Sequence, residues 1–387
     1  MDILDSTREQ NLSLGARFLS FFGRVLLAVS IPLIAFLVLY QGFLFLRDSD
    51  APRGIIALVA IVWGVGGVAA LYWIFNNLVE TLPDAWRARL LPFVFVGPAM
   101  AILAWYLAIP TLRTFWISLF NRDGPPAGLN FFQLLSSEAF VGLSNYAAVF
   151  TEKLMLEAFR NNLMWIIFGS TFSVIFGLLI AVLADRSSFE KLAKSLIFLP
   201  MAISFVGASI IWNFIYEFRP ANQEQIGLLN AIVLGLGAQP QAFPQWVNIA
   251  PWNNLFLIVI VVWLQAGFSM VLFSAALKGV PEELMEAGRI DGANEFQIFF
   301  RIMVPFIRGT IISVWTTVII FTLKIFDVVW VMTGGQFGTH VIATQFYRQS
   351  FTNRNSGFGS AIAIVLLIAV IPVMIYNLKQ FREREAR

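Results

Sequence analysis

Few polar side chains stand inside the apolar stretches of this chain, and their spacing is the first clue to chemistry. Lys324 and Asp327 are three residues apart, and Gln265 and Ser269 are four apart. On a continuous helix each pair shares a face. Asn213 stands alone in an apolar run. Polar groups at membrane depth are costly, so they face a cavity or a neighbouring helix. Two readings stay open for Lys324 and Asp327: a polar patch lining a solute path, or an ion pair locking helices together. Gln265 and Ser269 favour a lined cavity over helix-to-helix hydrogen bonding. Trp212, Trp263 and Trp330 offer flat apolar faces near these groups, or else pack in the core or anchor at the membrane interface.

Catalytic patterns are missing from the sequence. It contains no G-x-x-x-x-G-K-[ST], no H-E-x-x-H, no G-x-S-x-G and no cysteine. His340 is the sole histidine and reads as a solvent-side residue of an outer loop. A lone histidine cannot build a multi-histidine metal centre. The chain is therefore read as a non-enzyme without a metal or cofactor of its own.

Composition says what positions these groups. Of the 387 residues, 58% are hydrophobic and 13% charged, against about 25% charged in a soluble domain. The mean hydropathy is +0.77. Lipid is the solvent such a chain is built for, and a helix needs about 20 apolar residues to cross it. Eight segments qualify: 18–46, 55–75, 91–120, 163–184, 192–216, 255–277, 307–331 and 358–378. The first is too long for a signal-peptide core and is read as a retained span. Pro98 and Pro110 bend the third, and Pro200 interrupts the fifth.

Lysine and arginine placement sets orientation. With the N-terminus inside, fourteen lie on inner segments, among them Arg8, Arg17, Arg87, Arg186, Lys278, Arg289, Lys379 and Arg387, and eight on outer ones. This predicts eight crossings with both termini cytoplasmic. The organisation expected is an N-terminal segment with two spans (1–90), a third span and outer loop (91–160), a core of five spans (161–378) and a basic tail (379–387). The net charge of +3 carries no nucleic-acid-binding stripe.

Residues 278–305 form the most informative loop. Pro281 suits a first helical position, and Glu282 and Glu283 suit the positive helix end behind it. Asp291-Gly292 breaks that helix at about residue 289. A second helix is expected over about 293–303, with Phe296, Phe299, Phe300 and Met303 on one face. The result is a helix-turn-helix elbow along the membrane surface, between two spans.

Glu286-Ala287-Gly288, then Asp291-Gly292-Ala293, then Ile302 and Pro305 resemble the EAA loop of binding-protein-dependent ABC importer permeases. Gly288 stands where that pattern has a third small residue, alanine, and Val304 where it has leucine. Pro281 to Leu284 is similar to the lead-in of that loop. Pro200, Trp212 and 227–230 resemble the fifth-span signature of the larger maltose-type permease subunit, and Met332 to Gly335 resembles its late T-x-G-G element. The likeness runs from about residue 145 to the end. Within it, 198–220 and 370–382 look most like α-glucoside and glucosylglycerol permeases. The large extra domain of the maltose-type subunit has no room in the outer loop 121–160.

The resemblance implies an all-α membrane protein of the type I ABC importer permease fold, with eight transmembrane helices and a cytoplasmic coupling helix. Glu286, Ala287, Gly288, Asp291 and Gly292 would contact the ATPase. Asn213, Gln265, Ser269, Lys324, Asp327, Trp212, Trp263 and Trp330 would line the path of a small glucoside. It also implies a second permease subunit, an ATPase dimer holding ATP and Mg, and an extracytoplasmic solute-binding protein, all at the bacterial inner membrane. Rival readings are a permease for maltose, trehalose or glycerol phosphate, an ion-coupled transporter relaying through Lys324 and Asp327, and a membrane enzyme acting on lipid-linked sugar. The last would need a paired carboxylate that the sequence does not supply.

Overall fold

The structure, a computed structural model, describes residues 40–80, 84–220, 222–237 and 245–385, together with positions 30, 34, 37, 38 and 239. The expected span 18–46 lies outside the described residues except at its end, and Arg8, Arg17 and Arg387 lie outside them entirely. Among the described residues there is no strand beyond an isolated antiparallel bridge between Phe120 and Phe140.

The chain divides into two compact units, Met1–Pro110 and Thr111–Arg387. The first holds the helices α1 (Arg53–Glu80) and α2 (Asp84–Leu103), followed by a π-helical turn at Ala104–Ala108. From there α3 (Ile109–Ser118) leads into the second unit.

That unit continues with the short α4 (Phe131–Leu135) and α5 (Ser144–Thr151). Next come α6 (Lys153–Met164), a π turn at Trp165–Ser170 and α7 (Thr171–Asp185). They are followed by α8 (Glu190–Phe198), a 3-10 turn at Leu199–Ala202, α9 (Phe205–Tyr216), α10 (Leu228–Gly235) and α11 (Trp252–Leu277). The elbow is α12 (Glu282–Ile290) and α13 (Glu295–Ile298), with a π turn at Phe299–Met303 and α14 (Val304–Phe306). After it come α15 (Arg308–Leu323), α16 (Asp327–Thr333), α17 (Ile342–Tyr347), a π turn at Arg348–Thr352 and α18 (Ser356–Glu385).

Among the described residues, four helical stretches are by length and composition apolar enough to cross a membrane: Arg53–Glu80, Lys153–Asp185, Trp252–Leu277 and Ser356–Lys379. Two bent helix pairs bring the number among the described residues to six if each pair is one span. The fifth expected span is one of them, turning by 103° between Glu190–Ala202 and Phe205–Tyr216. Pro200 lies in the 3-10 turn, and the Ser204 hydroxyl accepts from the Gly207 amide at 3.0 Å, capping the new helix. The other pair turns by 71° between Glu295–Phe306 and Arg308–Leu323.

α11 is the central post. In its most apolar window 61% of the residues are buried, against 6% in α1. Lipid tails are as apolar as leucine, so close helix approach depends on small residues. A Cβ on Gly177 of α7 would lie 2.3 Å from the Ser269 Cβ of α11. A Cβ on Gly267 would lie 2.5 Å from the Ile197 carbonyl oxygen. These glycines let α7 and α8 seat against α11. Around the post, Trp165, Leu257, Val261 and Val328 form one core cluster, and Val174, Met270, Phe273 and Val314 another.

The expected seventh span, 307–331, is not one helix. α15 ends at Leu323 and α16 begins at Asp327. Phe326, at φ −137° and ψ −59°, lies between them outside helical geometry. Lys324 and Asp327 therefore do not share a helix face and form no ion pair. Spacing three apart gives a common face only while the 3.6-residue period continues.

Candidate functional site

The elbow takes its shape from local chemistry. Pro281 (φ −57°, ψ 133°) occupies the capping position, one place before the helical position the sequence suggested. Glu282 and Glu283 fill the first turn of α12 and Arg289 the last, each matching the helix dipole. The C-terminus closes as a Schellman turn. The Ala293 amide donates to the Gly288 carbonyl at 2.9 Å, and the Gly292 amide to the Arg289 carbonyl at 3.1 Å. Gly292 supplies the left-handed residue this turn needs, at φ +81°. Asn294 then starts α13 with a reciprocal capping box: its side chain accepts from the Gln297 amide, and the Gln297 side chain from its own, both at 2.9 Å. The second helix thus begins at Glu295, two residues later than expected, and passes into a π turn at Phe299.

Glu286, Ala287, Asp291 and Gly292 are all exposed, and Ile290 among them is 86% exposed. Gly288 is different. It is buried, and a Cβ there would lie 2.8 Å from Ile302 Cδ1 and 3.6 Å from Ile298 Cγ1. The resemblance implies an ATPase contact for Gly288 along with its neighbours; within this chain it faces inward, where it lets the two arms of the elbow meet.

Ionic contacts tie the elbow to the end of α7, and bind α7, α8 and α11 to one another at its base. The Glu295 carboxylate accepts from Arg289 Nε at 3.1 Å and from Arg186 Nη2, just past α7, at 2.9 Å. At the base, Lys278 pairs with Glu190, and Lys194 with Glu190 and Asp185. The Ser274 hydroxyl donates to Asp185 at 2.7 Å. These side chains link the ends of α7, α8 and α11 where α11 passes into the elbow.

The expected path residues separate into distinct surroundings. Gln265 is buried and borders a cavity of about 160 Å³ at the α8–α9 bend, with Met201, Ile203, Phe205, Leu264, Phe268 and Phe321. Ser269 does not border it. It sits in the α7–α11 crossing against Gly177, its hydroxyl buried without a hydrogen-bond partner. Trp212 meets Trp263 edge-on at 5.9 Å, and its indole N–H is buried unpaired. Trp330 belongs to a different group, stacked on Phe326 at 5.6 Å and against Tyr347 at 4.6 Å. Asn213 and Lys324 are exposed, and Asp327 is half-buried.

Sequence reasoning passed over the groups that hold the outer segment 334–341. The Asn161 amide donates to the Gly338 and His340 carbonyls, each at 2.8 Å. Asn253 donates to the Phe337 carbonyl at 2.8 Å and Asn254 to that of Gly338 at 3.3 Å. The available signal was two Asn-Asn pairs, 161–162 and 253–254, each just ahead of a long apolar run of sequence.

His340 is also not the solvent-side residue expected. It is 5% exposed. Arg348 donates to Nε2 at 3.2 Å, which leaves Nδ1 to carry the proton towards the Thr344 hydroxyl at 3.3 Å. Burial, with the Arg348 charge adding to it, pushes the imidazole down to about 4. The ring covers Gly335, where a Cβ would lie 2.2 Å from Nδ1 at φ +78°. That approach, together with the turn at Gly334 (φ +60°), accounts for the paired glycines after Thr333.

Comparison with known proteins fits this geometry. The family described as binding-protein-dependent transport system inner membrane component matches residues 173–384. The osmoprotective compounds uptake permease protein GgtC of Synechocystis is 51% identical over 292 residues, 76% of this chain and 99% of that protein. The alpha-glucoside transport system permease protein AglF of Rhizobium meliloti is 44% identical over 339 residues, 84% of this chain and 96% of that protein. A chain of a bacterial ABC transporter involved in the import of the acidic polysaccharide alginate shares the fold, with a TM-score of 0.60 and 19% identity over 76% of this chain and 95% of that one.

Proposed function

This chain belongs to the binding-protein-dependent transport system inner membrane components, and on that premise we propose that it is the permease subunit of an ATP-driven importer for a small glucoside. The observation that carries the substrate class is the similarity to GgtC and AglF over nearly the whole length of each of those proteins. An α-glucoside, glucosylglycerol or a trehalose-like sugar is the cargo.

The chain crosses the inner membrane eight times with both termini in the cytoplasm. It works with a second permease subunit, an ATPase dimer that holds ATP and Mg, and an extracytoplasmic solute-binding protein. The elbow is the coupling helix. Its exposed Glu286, Ala287, Ile290, Asp291 and Gly292 meet the ATPase. Its inward Gly288 and the Glu295 contacts keep it stiff enough to pass motion to α11 and α15. Closure of the ATPase dimer shifts the permease between inward-open and outward-open states only if the partners bind those states with different affinity. Gln265, at the α8–α9 bend, faces the sugar.

The rival ion-coupled reading needed Lys324 and Asp327 as a relay on one helix face, and the break after Leu323 removes that geometry. The test is uptake of labelled glucosylglycerol and trehalose into proteoliposomes holding the full complex. Uptake should require ATP and the binding protein, vanish with a hydrolysis-dead ATPase, and persist with an uncoupler. Uptake abolished by the uncoupler and unaffected by the dead ATPase would overturn the proposal.

A further inference from the structure

An apolar groove lies between the end of α7 and the second arm of the elbow. It encloses about 230 Å³ and is walled by Leu179, Val182 and Leu183 on one side and Phe296, Phe299 and Phe300 on the other. Its only polar lining is Arg186 and Glu295. Leu183, Phe296 and Phe300 are 69%, 77% and 60% exposed. The Phe296 and Phe300 rings stack at 6.5 Å and Phe299 meets Phe300 edge-on at 4.9 Å, so the phenylalanine wall is a built surface.

Two features identify the occupant. The first is depth. α7 ends a stretch apolar enough to cross the membrane, and Arg186 is the first residue beyond it. From Arg186 to Leu179 the groove follows the helix for about 10 Å into the apolar region, where a soluble partner does not reach. The second is charge. Arg186 and Arg289 both donate to the one Glu295 carboxylate, which leaves a net positive charge at the mouth. A guanidinium has five N–H donors, so donors remain for a phosphate.

We propose that this groove binds an anionic phospholipid, with one acyl chain along Leu179, Leu183 and Phe300 and its phosphate on Arg186. A lipid seated there braces the elbow against the end of α7. The proposal rests on the membrane-permease reading above, but on neither the cargo nor the sidedness.

The test uses the whole complex in nanodiscs of an equimolar mixture of phosphatidylcholine and phosphatidylglycerol. A photo-crosslinking amino acid replaces Leu183, and captured lipid is identified by mass spectrometry. Phosphatidylglycerol should be captured about fivefold over phosphatidylcholine, as one net positive charge at the surface gives. Arg186→Gln should bring the two to near equality. Equal capture in the parent complex would overturn the proposal, as would unchanged enrichment in Arg186→Gln or crosslinking at Leu183 to the ATPase or the second permease. If Arg186→Gln fails to assemble, the parent ratio decides alone. Failure of the importer reading shows separately, as no stimulation of ATP hydrolysis by binding protein and sugar in the same discs.

Discussion

The Asn162 side chain joins two backbone segments that are both distant from it in sequence: its amide donates to the Leu323 carbonyl at 3.0 Å, and its oxygen accepts from the Ile342 amide at 2.7 Å. Leu323 is the last residue of α15, where the helix breaks and its carbonyl has lost its helical partner. Within a membrane a broken helix survives when another group satisfies the freed backbone, and here one buried asparagine does so.

Asn162→Leu should therefore orphan two buried backbone groups, at about 1–3 kcal/mol each. The complex should lose thermal stability in detergent, and the loss should be concentrated around 323–342 in hydrogen exchange. An unchanged melting temperature would show that the break is held by something else.

On the elbow, Glu286→Trp changes an exposed side chain and should leave the fold intact. It should lower sugar-stimulated ATP hydrolysis without altering the melting temperature of the isolated subunit. Gly292→Val forces a β-branched residue to φ +81°, at a cost of about 1–2 kcal/mol, and should uncouple hydrolysis from uptake. Normal coupling in both variants would count against the ATPase contact.

Gln265 and Ser269 are separable by mutation although they are one helical turn apart. Gln265→Leu removes a polar group from the cavity at the α8–α9 bend and should raise the half-saturating sugar concentration about 3- to 10-fold, the loss of one neutral hydrogen bond. Ser269→Ala removes a hydroxyl that has no partner, so uptake should stay unchanged and stability should hold or rise. The reverse pattern would move the path to the α7–α11 seam.

Acid should loosen the outer segment through His340. Its folded pKa of about 4 lies below the usual 6.5, so the unfolded chain takes up a proton that the folded chain refuses. Stability is full above pH 6.5 and falls as pH drops from there to about 4, by about 3 kcal/mol in all. His340→Gln should flatten that slope in unfolding measurements across this range. A slope equal to that of the parent would exclude His340 as its source.

The sequence by itself determined the membrane class, most of the apolar helices and the elbow, because each of these is written in neighbouring residues. Long apolar runs specify helices in lipid, Asp291-Gly292 specifies a left-handed turn, and Asn294 with Gln297 carries a capping box. The tertiary structure decided what depends on distant partners. Lys324 and Asp327 lost their shared face because the helix breaks between them, and the break is tolerated because Asn162 reaches Leu323 from another helix. Gly288 turned inward because Ile302 and Ile298 lie behind it. Ser269 joined a seam because Gly177 has no side chain. His340 was buried because Gly335 leaves room for its ring and two Asn-Asn pairs hold its loop down. Helical period and turn chemistry act over a few residues, whereas burial and backbone satisfaction at membrane depth are settled by whichever groups the fold brings together.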